Sequence, residues 1–333
     1  MKIIKKIIFA QLIIISYNVA AQEEEKEKKL SISGSIDAYY QAYLSASDNT
    51  RQSFGTSFAD RTGFALGMAN LIASYEGEKT GVVADLAFGP RGIAAVGGNT
   101  EVYINQLYAY WNVSEKTTLT MGRFNTYLGY EVISPTGNFN YSTSYLFSSG
   151  PFSHLGLKAD FALSEDFSLM LAIMNVTDVY NNMTGDYAFG AQLGYAGQFL
   201  NIYYDNKVAL GFEIDYTGGF DLSDDLFIGI NGAYQTSEDA GFYGLALYPQ
   251  VATSDSFSVG LRGEFFGVHE KDVDDLPSVF TATLTGNYTL ENLTIKPELR
   301  LDSWSNDFEP YLNSDGEVTN SLAAFTLATI YSF

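Results

Sequence analysis

Apolar and polar residues alternate with a period of two along most of this chain. Residues 293–304 show the pattern clearly, because one face is apolar and the other is charged. The apolar face reads Leu293, Ile295, Pro297, Leu299 and Leu301, and the opposite face reads Thr294, Lys296, Glu298, Arg300 and Asp302. Successive side chains of an extended strand point to opposite faces, so this pattern predicts a β-strand that lies between two different environments.

About 16 segments of this kind follow one another, from residues 30–44 to residues 322–333. Short polar turns and longer connections alternate between them. An even number of strands of roughly 10 residues is typical of a transmembrane antiparallel β-barrel with short periplasmic turns and long extracellular loops. The fold class predicted is therefore all-β. Residues 206–207 are too short for an external loop, which leaves the strand count open by one hairpin.

The charged faces are predicted to line a water-filled lumen. A lysine or arginine that faces lipid at the middle of the bilayer costs about 2–4 kcal/mol, so the apolar faces must contact lipid. The candidate pore-lining residues are Arg123, Glu131, Lys158, Asp160, Glu213, Asp215, Arg262, Glu264, Lys296, Glu298, Arg300 and Asp302. An equal alternative is that pairs such as Lys296/Glu298 only cross-link the inner wall.

Arg123 is the exception within this set. It has the parity of Leu119 and Met121, which sends it toward lipid. A lumen position requires a bulge near Gly122 that shifts the register. Otherwise Arg123 lies at the membrane interface.

The first residues have the features of a secretory signal peptide. Lys2, Lys5 and Lys6 precede an apolar run at residues 7–15, and small residues at 19–21 offer a cleavage site. The run is too short to cross a bilayer core of ~30 Å. The sequence predicts a signal peptide at residues 1–21, a charged periplasmic leader at 22–29 and a barrel at 30–333. Export of this kind fits the outer membrane of a Gram-negative bacterium.

The last strand carries a second targeting feature. Phe325, Leu327, Tyr331 and the terminal Phe333 share one face. This ending resembles the signal that the outer-membrane barrel assembly machinery recognises, which makes that machinery an expected partner.

Composition narrows the function classes. The chain has 15% aromatic residues, with 24 Tyr and 24 Phe, and abundant tyrosine suits aromatic girdles at membrane interfaces. Removing the three signal lysines from the formal net charge of −21 leaves −24, which excludes electrostatic binding of nucleic acid. Acidic loops could bind lipopolysaccharide through divalent cations, or could simply be solvated.

Residues typical of an enzyme or a metal site are few, and we predict neither catalysis nor a cofactor. The chain has no Cys and two histidines, His154 and His269, and it lacks a Gly-x-Ser-x-Gly turn. The acidic cluster at residues 270–275 lacks the spacing of a calcium loop. Residues 89–92 contain two glycines but no helix is predicted after them, so a flexible loop is the interpretation there.

The longest connection, residues 127–153, joins the fifth and sixth strands. It is apolar and aromatic, and long loops without a function of their own are uncommon. We expect it to fold into the lumen and narrow the pore. The alternative is an external cap over the mouth.

Four sequence segments are similar to a known family. These are Gly122-Arg123-Phe124-Asn125-Thr126, Gly129-Tyr130-Glu131, residues 138–144 and residues 151–156. They resemble the putative beta-barrel porin family, OmpL-like, in which a basic residue often stands at the position of Thr143. The resemblance implies a porin-like diffusion channel and names no substrate. It also implies a homotrimer as one state of assembly, because general porins are usually trimers.

The function expected from these observations is passive diffusion of small hydrophilic solutes and ions through the lumen, with a mild preference for cations. The alternative is a barrel with a closed lumen that serves as a surface receptor, adhesin or scaffold. Lipid and lipopolysaccharide are the expected surroundings in either case.

Overall fold

The computed structural model describes residues 29–46, 52–96, 103–305 and 307–333. The predicted signal peptide and residues 22–28 of the leader lie outside these ranges. Sixteen strands pair side by side into one closed antiparallel barrel, in which the first strand pairs with the last. The predicted fold class and strand number are confirmed.

The barrel strands are 7 to 15 residues long. In chain order they are β1 Lys29–Tyr43, β2 Gly63–Glu76, β3 Thr80–Phe88, β4 Ile104–Ser114, β5 Thr117–Asn125, β6 Ser153–Ala162, β7 Phe167–Met174, β8 Ala188–Tyr195, β9 Gln198–Tyr204, β10 Phe212–Asp221, β11 Leu226–Ser237, β12 Ala240–Ala252, β13 Phe257–Glu270, β14 Ser278–Leu290, β15 Leu293–Trp304 and β18 Ser321–Ser332. A small separate hairpin, β16 Tyr311–Leu312 and β17 Val318–Thr319, lies in the connection before the last strand.

The two ends of the barrel differ in the length of their connections. Lys29 pairs with Glu76 beside the first short turn, and the amide of Phe333 donates to the carbonyl of Gly34. Both ends of the described chain therefore lie at the end of the barrel that carries the short turns. The long connections, including residues 126–152, all lie at the opposite end.

The strand boundaries near residue 206 differ from the prediction. Strand β9 ends at Tyr204 and β10 begins at Phe212, so the connection is residues 205–211 instead of 206–207. The Asp205 carboxylate accepts hydrogen bonds from four backbone amides of this connection, which holds it in a compact loop. At the end of the barrel that carries the long connections, the shortest connection is residues 238–239. The number of hairpins equals the number predicted.

The two faces of the barrel wall have opposite character. On β15, Leu299 and Leu301 are 46% and 47% exposed, whereas the charged residues between and beside them are buried. Small residues such as Ala324 and Ala328 face inward on β18, opposite the exposed aromatic Tyr331. The alternation of the sequence thus places apolar side chains outside and polar side chains inside.

Two short helices lie in the long connections. Helix α1, Gly89–Ala95, has Pro90 in its first turn, so the interpretation of residues 89–92 as a flexible loop was wrong. Helix α2, Tyr145–Ser149, begins after Ser144, whose hydroxyl accepts from the amide of Phe147. Neither of these described helices is long and apolar enough to cross a bilayer.

Candidate functional site

The connection of residues 126–152, called loop 126–152 below, contacts inward-facing side chains on several wall strands. At one side the hydroxyl of Tyr141 donates to Asp37 on β1 over 2.6 Å. At the other side the amide of Gly129 donates to Asp215 on β10 over 3.0 Å. These two strands lie seven places apart in a ring of sixteen. The loop therefore reaches between nearly opposite sides of the barrel.

An ion pair between buried groups joins the loop to β13. Arg262 donates to Glu131 over 2.7 Å, and both side chains are at most 3% exposed. The same guanidinium donates to the carbonyl of Ser142 and to the hydroxyl of Thr283. Glu131 in turn accepts from the amide and the hydroxyl of Ser144. The ion pair therefore joins residues 131 and 144 of the loop to each other and to β13.

Two wall carboxylates accept from backbone amides of the loop. Glu264 on β13 accepts from Tyr145 and Leu146 over 3.0 and 2.8 Å. Glu298 on β15 accepts from Tyr141 and Ser142 over 2.7 and 3.1 Å. Hydrogen bonds to a charged acceptor are stronger than neutral ones, so these carboxylates hold the loop backbone firmly.

Two cations of β15 hold the loop through its carbonyls. Lys296 donates to the carbonyls of Pro135, Asn138 and Phe139. Arg300 donates to the carbonyl of Thr143 over 3.1 Å.

Arg300 also forms a bidentate pair with Asp302, at 2.8 and 2.9 Å. Asp302 accepts in addition from the hydroxyl of Tyr145, which lies in the loop. The charged residues of β13 and β15, called the β13–β15 wall below, thus form a continuous set of contacts to the loop.

Wall glycines accommodate the aromatic side chains of the loop. A Cβ atom at Gly260 on β13 would lie 2.5 Å from the ring of Phe139. A Cβ at Gly229 on β11 would overlap the hydroxyl of Tyr130 in the same way. Glycine is needed at both places because the rings pack directly against the backbone of the wall.

A neighbouring stretch of the wall, formed by β10 and β11 and separated from β13 by β12, has fewer hydrogen bonds to the loop. Asp215 accepts from Gly129 and from the amides of Asn201 and Asn231, each of the latter over 2.6 Å. Glu213 is 3% exposed and points inward, yet its Oε2 atom has no hydrogen-bond partner among the described residues. A cavity of about 10 Å³ lies between this wall and the loop. We call these two strands the β10–β11 wall.

Tyr127 of the loop lies close to the same wall. Burial, together with the neighbouring charges of Glu213 and Asp215, raises the pKa of this phenol. Tyr127 therefore stays protonated, and its hydroxyl donates to the carbonyl of Ile202 on β9 over 2.8 Å.

Three of the predicted residues lie away from the loop anchors. Lys158 and Asp160 pair with each other over 2.8 Å on β6, where both side chains are partly exposed. Arg123 keeps the parity of Met121, and strand pairing passes through Gly122 without a register shift. Its guanidinium donates to the carbonyl of Val179 and lies over the ring of Tyr180, so residues of the connection 175–187 cover it.

Some inward-facing charged residues were missed by the sequence reasoning. Asp37 accepts from Tyr141 and from the amide of Met68. Arg91 of helix α1 donates to the carbonyl of Ile133 in the loop over 2.8 Å. Asp37 shares the parity of the inward residues of β1, so the strand pattern could have identified it. Arg91 lies in a connection, where no periodicity applies.

Among the described residues, the hydrogen-bond partners of the two histidines are a hydroxyl and a backbone carbonyl. The Nε2 atom of His154 lies 2.9 Å from the hydroxyl of Thr126, and within the described ranges its Nδ1 atom has no hydrogen-bond partner. His269 stacks on Tyr234 and contacts the carbonyl of Gln235. In the described part of the chain, no group of three or more His, Cys, Asp or Glu residues is arranged to hold a metal ion.

Comparisons with solved structures show the same fold. The outer membrane channel DcaP of Acinetobacter baumannii is 13% identical, with a TM-score of 0.59 over 95% of this chain and 100% of that chain. An anion-selective porin from Comamonas acidovorans is 10% identical, with a TM-score of 0.60 over 92% and 100%. The trimer form of OmpT, an outer membrane protein of Vibrio cholerae, is 8% identical, with a TM-score of 0.54 over 92% and 99%.

The family is settled by sequence. No curated protein matches the chain. A family model described as "Putative beta-barrel porin-2, OmpL-like" matches residues 29–333, which is nearly the whole chain, and the resemblance seen in the sequence is confirmed. This protein belongs to the OmpL-like beta-barrel porin family.

Proposed function

We propose that this protein is an outer-membrane porin through which small hydrophilic solutes and ions diffuse passively. The observation that carries the proposal is the set of tethers between loop 126–152 and the charged inner face of a closed 16-strand barrel. A barrel of this size is wide enough to hold water, and a loop held across it narrows the conduit without sealing the wall. The polar inner face then borders the water path.

The outer surface supports a location in the outer membrane. Phe64, Leu66 and Met121 are 92%, 70% and 71% exposed on the outward face, where only lipid makes such exposure favourable. Lipid and lipopolysaccharide are the proposed surroundings. The barrel assembly machinery is the proposed receptor for the last strand, through Phe325, Leu327, Tyr331 and Phe333. The predicted signal peptide would direct the chain there.

The state of assembly that we propose is a homotrimer. A trimer form is known for the fold neighbour OmpT, although a likeness at 8% identity shows only the fold. Chemical cross-linking of the protein in membranes tests the proposal, and a trimeric product is expected. A product that stays monomeric at all cross-linker concentrations would contradict it.

Planar-bilayer recording tests the channel function. We expect purified protein to insert in uniform conductance steps. The double variant Glu264→Gln/Glu298→Gln weakens four of the tethers to backbone amides, and we expect larger steps because the loop moves away from the β13–β15 wall. The control, Glu291→Gln, changes the same group on an exposed turn and should conduct like the wild type.

A second candidate function is favoured by the packing at the loop end of the barrel. Phe58 of the first long connection packs against Phe147 and Phe152, and Phe54 packs against Tyr311 of the small hairpin. These contacts support a closed lumen and a role as a surface receptor, adhesin or scaffold. Absence of conductance from correctly folded protein would favour this function over the porin.

A further inference from the structure

A small cavity lies between loop 126–152 and the β10–β11 wall. On the β13–β15 wall the loop is bonded through its amides and carbonyls to Glu264, Lys296 and Glu298. On the β10–β11 wall its backbone is held by the amide of Gly129, and a small cavity lies beside that contact. Gly129 and Pro151 border the cavity on the loop side, and Glu213, Asp215 and Asn231 border it on the wall side. Its volume of about 10 Å³ is close to the space that one water molecule needs.

Glu213 differs from the other buried acids of the lumen. Glu131, Glu264, Glu298 and Asp302 each accept from a cation or from backbone amides. Glu213 Oε2 accepts from nothing among the described residues and lies at the cavity. Buried polar atoms in proteins nearly always have a partner, so an unpartnered carboxylate oxygen beside a gap points to a ligand that supplies the missing contact.

The local chemistry selects the sign of that ligand. Glu213 and Asp215 lie two residues apart on the same inward face of β10, and neither forms an ion pair within the described ranges. The side-chain donors bonded to Asp215 are the neutral amides of Asn201 and Asn231. Carboxylate oxygens are among the ligands preferred by hard cations.

We propose that Glu213 and Asp215 form a cation-binding constriction in the water path between loop 126–152 and the β10–β11 wall. This inference rests on the proposed porin function and makes it more specific, because the two acids give the channel a preference for small cations. The fold alone does not set this preference, since a neighbour with the same fold is described as an anion-selective porin.

The reversal potential in a KCl gradient tests the inference. The variant Glu213→Gln replaces the carboxyl group with a neutral amide and removes no hydrogen bond of Oε2, so it should fold like the wild type. We expect its ratio of K⁺ to Cl⁻ permeability to fall by at least about twofold. The control Asp221→Asn removes one charge from an exposed site on the same strand and should leave the ratio unchanged.

The outcomes separate the two proposals. If the wild type conducts and Glu213→Gln keeps the wild-type permeability ratio, the cation site is wrong and the porin function stands. If folded wild-type protein never conducts, both are wrong.

A further measurement uses no variant. Adding Mg²⁺ to wild-type channels should lower the K⁺ current, because a divalent cation stays longer between the two acids. An unchanged current would contradict the proposed site.

Discussion

Two neighbouring stretches of the inner wall use the same residue types in different ways. On the β13–β15 wall, Glu264 and Glu298 are fully engaged by the backbone of loop 126–152. On the β10–β11 wall, Glu213 is equally buried but its Oε2 is free of partners among the described residues. Inward-facing acids of this barrel therefore differ in how they contact the loop. Some inward-facing acids hold the loop and others leave an oxygen without a partner among the described residues, and only their contacts reveal which.

The largest effect is expected from breaking the ion pair of the β13–β15 wall. Arg262→Met leaves Glu131 buried without its cation, and such a loss costs about 3–5 kcal/mol. The free energy of unfolding, measured by denaturant titration in lipid vesicles, should fall by that amount. Adding Glu131→Gln to the variant removes the unpaired charge and should restore part of the loss. A single variant as stable as the wild type would show that the pair does not anchor the loop.

A smaller loss is expected from neutralising one tether. Glu298→Gln keeps the shape of the side chain, but the amides of Tyr141 and Ser142 lose a charged acceptor. We expect a cost of about 1–3 kcal/mol in the free energy of unfolding. Limited proteolysis should also cut loop 126–152 faster than in the wild type. Unchanged proteolysis would mean that the loop is held without this contact.

Packing of the loop against the wall can be tested with a matched pair of glycines on β13. Gly260→Ala places a methyl group against the ring of Phe139, and overpacking of this kind costs about 1–3 kcal/mol. Gly263→Ala on the same strand meets no atom within 4 Å and should change the stability by less than about 0.5 kcal/mol. Equal losses in the two variants would indicate a backbone effect and not a contact with the loop.

Strand alternation predicted the barrel and its two faces because that signal is local and repeats. The charged face of β15 was identified from residues 293–304 alone, and the strand count held although β10 begins four residues later than expected. That boundary is set by Asp205, which captures the amides of the connection, and turn chemistry of this kind is not periodic.

The contacts of the site depend on residues far apart in the chain. Glu264 accepts from amides about 118 residues away, and Glu298 from amides about 156 residues away. A backbone amide carries no sequence signature, so no pattern could indicate that these acids hold the loop. Arg123 shows the same limit, because its position under Tyr180 is decided by a connection of another hairpin.

The smallest effect is expected at Glu213, where the comparison of the two walls is sharpest. Glu213→Gln makes the same chemical change as Glu298→Gln, on a side chain that is equally buried. Since Oε2 of Glu213 has no partner to lose among the described residues, the free energy of unfolding should stay equal or rise by up to about 1 kcal/mol. Denaturant titration of the two variants side by side measures this difference. A loss at Glu213 as large as the loss at Glu298 would mean that Glu213 has a structural partner, and the distinction between the two walls would fail.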